Sequence, residues 1–70
     1  MSTAPVVVHR PSATGGRRVT VRGEIAGLAH RDADVIEFLR RAGIPDAGEL
    51  LDDPSWVEWR GGRAHLYEAA

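Results

Sequence analysis

One stretch of this chain can hardly be anything but a helix, and what flanks it decides the fold class. Asp32 stands where a side chain can cap free backbone N–H groups, and a helix is predicted from Ala33 to Ala42. Asp34 and Glu37 lie near its positive end and Arg40 and Arg41 near its negative end, which matches the helix dipole. Val35, Ile36, Leu39 and Ala42 form one apolar stripe with Phe38 at its margin. Gly43 is placed to turn left-handed and stop the helix, Ile44 to fold back on it, and Pro45 to prevent continuation.

On both sides of this helix the pattern changes to strands. Val6-Val7-Val8-His9 is a β-branched run, and Pro11 to Gly16 is a dense turn cluster. Val19 and Val21 then alternate with Arg18, Thr20 and Arg22, which predicts a second strand in a hairpin with the first. Gly23 to His30 admits two readings. As a strand it folds back through Arg22-Gly23; as a helix it places Ile25, Leu28 and Ala29 on one face, and Gly27 weakens both. The strand is taken as the expectation. After the helix, Asp46-Ala-Gly-Glu49 spells a capping box opening a short helical turn through Leu51, which Asp52-Asp53-Pro54 ends.

Trp56 to Arg60 and Arg63 to Tyr67 alternate around Gly61-Gly62, a strong two-residue hairpin signal. In that register Val57, Trp59, Ala64 and Leu66 face the core. Trp56, Glu58 and Arg60 then share the outer face with Arg63, His65 and Tyr67. The expected architecture is therefore α+β: an N-terminal hairpin with a third strand if Glu24–Leu28 is extended, one main helix, a short helical turn and a C-terminal hairpin. The helix should bury its stripe against Val19, Val21, Ile25, Val57, Trp59 and Leu66.

Seventy residues make one domain, expected over residues 5–70 after a loose Met1 to Ala4. The absence of cysteine removes disulfide staples and thiolate zinc sites, so a core this small makes self-association a reasonable expectation. The formal net charge of −1 gives nucleic-acid binding no support. All nine basic residues are Arg, whose planar five-donor fork suits carboxylate, phosphate and aromatic partners. No stretch has the length of a membrane helix or of a signal-peptide core, so a cytoplasmic protein without membrane contact is expected.

Candidate chemistry is sparse. His30-Arg-Asp matches the triplet that opens the protein-kinase catalytic loop, in a chain with no room for a nucleotide lobe. His30, Asp32 and Asp34 are permissible metal ligands, but capping and the helix dipole already account for both aspartates. Ser2, Ser12 and Ser55 sit in no nucleophile-elbow pattern. No enzyme activity, cofactor, metal or small-molecule substrate is expected. Thr14-Gly-Gly-Arg-Arg18 could present N–H groups and guanidiniums to an anion, although it lacks the ending of a phosphate loop. Arg60-Gly-Gly-Arg63 sets two cations at a hairpin tip, where facing like charges suggest a partner.

Two resemblances follow from these segments. Glu24 to Ile44 followed by an Arg-tipped hairpin resembles the second half of a winged helix-turn-helix domain, with Ala33–Ala42 as recognition helix and Val57–Tyr67 as wing. The acidic start of that helix departs from the pattern, since phosphates would repel it. His9-Arg-Pro, Thr14 to Val19, Glu37 to Gly43, Leu51 to Pro54 and Trp56 to Gly62 resemble small uncharacterised proteins of high-GC actinobacteria, which implies a bacterial cytoplasmic setting. The functional expectation is a non-enzymatic interaction module that binds a protein partner or itself as a homodimer. Its contact residues would be Trp56, Glu58, Arg60, Arg63, His65 and Tyr67, because Tyr, Trp and Arg most often dominate interfaces. A winged-helix-like DNA binder using the Arg60–Arg63 tip is the alternative.

Overall fold

In a computed structural model, which describes residues 4–68, the chain forms a four-stranded sheet with two helices. The strands are β1 (Val6–Pro11), β2 (Arg17–Val21), β3 (Glu24–Ala29) and β4 (Val57–Trp59); α1 (Asp32–Arg41) and α2 (Ala47–Leu50) lie between β3 and β4. Sheet order is β3-β2-β1-β4, with β1–β2 and β2–β3 antiparallel and β1–β4 parallel. The α+β class stands, and Glu24–Ala29 is the third strand. Of the expected loose N-terminus, only Ala4 lies within the described residues.

Local chemistry explains these elements. Arg22 and Gly23 both take positive φ (52° and 85°), as a two-residue hairpin loop between Val21 and Glu24 requires. Alternation sends Val6, Val8, Val19, Val21 and Val57 to one side, where Val35 and Leu39 of α1 and Ala47 of α2 close the core. Ile36, Phe38 and Ala42 pack on that cluster half-buried. A bulge in β3 brings Gly27 beneath the Phe38 ring. A Cβ there would stand 2.7 Å from the ring edge, and its φ of 153° also favours glycine.

Several expectations need correction. Asp32 does not cap α1: the cap position is Arg31, it makes no side-chain cap bond, and Asp32 is the first helical residue. Asp34 instead reaches back to accept the His30 N–H at 2.9 Å. Asp46 precedes α2 in a left-handed conformation and also makes no side-chain cap bond. Ile25 is 69% exposed and Leu66 54%, so neither joins the core. Glu24–Ala29 is a strand rather than a helix, and among the described residues no strand follows β4.

The C-terminal hairpin is the largest departure. β4 is a single strand paired parallel to β1, and residues 60–68 cross the end of the sheet as irregular chain. The cause is Arg17, a core-side residue of β2 with no exposed surface. Its Nε donates to the His9 carbonyl at 2.7 Å, where β1 bulges between Val8 and Pro11. Its terminal nitrogens donate to the carbonyls of Arg60 (2.7 Å), Arg63 and Leu66 (both 2.8 Å). The guanidinium also lies 5.2 Å from the centroid of Trp59. A returning strand would commit the Arg63 carbonyl to a ladder and take that acceptor from a buried charge. That loss outweighs one short strand pairing.

Candidate functional surfaces

The irregular C-terminal segment builds a polar cluster with the start of α1 and the α2–β4 turn. Tyr67 is 8% exposed, and its hydroxyl donates to Asp32 Oδ1 at 2.6 Å. The other Asp32 oxygen meets His65 Nδ1 at 2.6 Å, while His65 Nε2 meets Asp52 Oδ1 at 2.5 Å. Trp59 lies beside both rings, 5.1 Å from His65 and edge-on at 6.0 Å to Tyr67, and its indole N–H donates to the Leu51 carbonyl. Gly16 N–H donates to the Tyr67 carbonyl at 2.8 Å. Three distant pieces, the start of α1, the α2–β4 turn and the C-terminal segment, are thereby clasped together.

Its electrostatics fit a structural clasp better than a catalytic group. An imidazole with a carboxylate on each nitrogen is best satisfied when both nitrogens carry protons. Accordingly, the hydrogen bonds to Asp52 first and Asp32 second raise the His65 pKa. In that state neither nitrogen can accept a proton as a general base. Burial, reinforced by the Asp32 hydrogen bond, raises the Tyr67 pKa and keeps the phenol protonated. Among the described residues no three His, Asp or Glu side chains are grouped to hold a metal ion.

His9, on the opposite side of the sheet, behaves in the reverse sense. Burial lowers its pKa first, followed by the nearby charges of Arg60 and Arg18, and its Nε2 pairs with the Thr20 hydroxyl. The two histidines predict a stability maximum near the unperturbed histidine pKa of about 6.5. Below it the unfolded chain protonates His9 more readily than the folded one does, so stability falls with pH. Above it the folded chain holds the His65 proton longer, so stability falls as pH rises through the raised pKa. His65→Asn should flatten only the alkaline flank in urea titrations across pH 5 to 9. The His65 ring is exposed enough that the flank should amount to less than about 1 kcal/mol. An unchanged alkaline flank would remove His65 from the clasp.

The second surface is the uncovered side of the sheet. Both helices pack on one face, and Val7, His9, Arg18, Thr20, Ile25, Leu28 and Glu58 occupy the other. Ile25 (69% exposed) and Leu28 (50%) sit side by side there on edge strand β3. Ile25 faces outward because the Arg22-Gly23 hairpin pairs it with Thr20, and the bulge at Ala26-Gly27, which alternation alone cannot count, brings Leu28 to the same face opposite Arg18.

The six residues expected to form one contact face are dispersed. Trp56 is half-buried against the core, and Tyr67 is within it. His65 is tied into the clasp, Glu58 pairs with Arg60, and Arg63 is exposed. The Thr14–Arg18 anion loop is also otherwise engaged. Gly15 and Gly16 spend their N–H groups on the Ser12 and Tyr67 carbonyls, and Arg17 points into the core. No helix among the described residues is long and apolar enough to cross a membrane. Compared with known proteins, the chain matches no family model, no curated protein and no solved structure at a significant level.

Proposed function

We propose that this chain is a non-catalytic interaction module that binds a protein partner, or a second copy of itself, through the uncovered face of its sheet. The observation that carries this reading is that face, where Ile25 and Leu28 lie exposed together while both helices pack on the other side. Neighbouring exposed aliphatic residues on a small domain are a feature of contact surfaces. The occupied nitrogens of His65 and the protonated Tyr67 support a non-catalytic role.

The test compares wild type with Ile25→Ser/Leu28→Ser. Both side chains are exposed, so stability should stay within about 0.5 kcal/mol of wild type. Tagged protein in nuclease-treated lysate at moderate salt should retain a partner that the double variant loses; self-association should show as a dimer mass that the variant abolishes. Recovery that disappears with nuclease or salt would instead support nucleic-acid binding.

A further inference from the structure

Among the described residues, the large hydrophobic side chains that stand exposed are Ile25, Leu28 and Leu66. Ile25 and Leu28 line a groove of about 380 Å³ with Arg18 and Arg10. Leu66 lines a groove of about 500 Å³ with Arg63 and, again, Arg10. The two grooves therefore share Arg10, and together they form one track lined by aliphatic and arginine side chains. Among the described residues, Arg10, Arg18 and Arg63 have no carboxylate partner, whereas Arg60 nearby is paired with Glu58. Among the described residues, Glu68 is the single carboxylate lining either groove.

The fold creates this track by the same events that prevent the hairpin. Arg17 anchors the Arg63 and Leu66 carbonyls, which fixes that segment across the end of the sheet. Gly61 allows the chain to pass against Arg10: a Cβ there would meet the Arg10 Cβ, and φ is +68°.

We infer that the occupant is an acidic, aliphatic-rich segment of a partner protein, its carboxylates meeting Arg10, Arg18 and Arg63 and its apolar side chains meeting Ile25, Leu28 and Leu66. This inference rests on the open-face reading and specifies its partner. Charge complementarity carries it: guanidiniums without counterions bind carboxylates in fork geometry, and flanking aliphatic surface adds apolar burial. A second copy would bring the same unpaired arginines to the contact. Single-stranded nucleic acid uses aromatic stacking platforms, and no Phe, Tyr or Trp lines either groove.

A displayed library of random peptides, selected on purified full-length protein, tests this. Wild type should enrich peptides combining Asp or Glu with Leu, Ile or Val. An enriched synthetic peptide should bind at least tenfold more weakly to Arg10→Glu/Arg18→Glu/Arg63→Glu and weaken as salt rises. Its amide shift changes should fall on His9–Ser12, Arg18, Ile25–Leu28 and Gly61–Leu66. If circular dichroism shows the triple variant unfolded, Arg18→Glu alone, at an exposed and unpaired site, should still weaken binding several-fold. Enriched peptides without acidic residues that Ile25→Ser/Leu28→Ser abolishes would overturn the acidic class and leave the open-face reading standing. No enrichment, with or without binding to a single-stranded oligonucleotide or phosphatidylserine vesicles, would overturn both.

Discussion

Replacing Arg17 with Met should cost about 3–5 kcal/mol of folding stability, because several carbonyls lose a charged donor together and each one left unsatisfied costs about 1–3 kcal/mol where water does not replace it. At roughly 0.05–0.15 kcal/mol per residue, that is a third or more of the stability a domain of this size has to lose. Exchanging a buried ion pair for apolar residues is often harmless, because both charged partners leave together. Here that escape is closed. The partners are the backbone carbonyls of His9, Arg60, Arg63 and Leu66, and no side-chain substitution removes them. Residues 60–68 would lose their acceptor contacts with the sheet, and Trp59 the cation beside its ring. Arg17→Lys keeps the charge but not the planar fork that serves carbonyls on separate segments, so a loss of about 2–3 kcal/mol is expected. Urea unfolding followed by circular dichroism and tryptophan fluorescence measures both. A Met variant within about 1 kcal/mol of wild type would show that Arg17 does not organise the C-terminal segment.

That one residue also marks the boundary of what was legible in the sequence. The main helix and the N-terminal hairpin follow from periodicity and turn chemistry, which act over a few residues, whereas the third strand is the favoured of two readings. Val19 and Val21 could be assigned to the core because their neighbours in sequence are their neighbours on the strand. Arg17 extends the same alternation inward, so its burial was written in the period-two pattern. What hid it was residue type, because arginine is almost never fully buried unless paired. Three of its partners are carbonyls more than 40 residues away, and carbonyls leave no trace in side-chain identity.

The misplaced hairpin follows from the same blindness. Gly61-Gly62 between alternating runs satisfies every local rule for a tight turn, but local rules do not weigh a buried guanidinium elsewhere. Asp32 was read as a cap for a similar reason. Capping is the usual role of an aspartate at that position, and only the returning chain shows its oxygens engaged by Tyr67 and His65. The uncovered sheet face was only partly in reach: the Arg22-Gly23 turn pairs Ile25 with outward-facing Thr20, but Leu28 joins it only through a bulge, and which face stays open depends on where α1 lands.

Tyr67 is where the hairpin reading and the structure disagree by the largest measurable amount. On an outer hairpin face, Tyr67→Ala would change stability by a few tenths of a kcal/mol. Buried at 8% exposure with its ring edge-on to Trp59, it should instead cost about 3–5 kcal/mol, as truncation of a buried aromatic does. Tyr67→Phe separates the hydroxyl from the ring. It keeps the packing and removes one charge-assisted hydrogen bond to Asp32, a carboxylate that water and His65 still reach, so about 1–2 kcal/mol is expected. Combining Tyr67→Phe with Asp32→Ala should then cost less than the two changes added together, because the second deletes a bond already lost. Additive losses would mean that Tyr67 is buried for its ring alone. A Tyr67→Ala variant that keeps its unfolding midpoint but releases a bound partner would return Tyr67 to the surface.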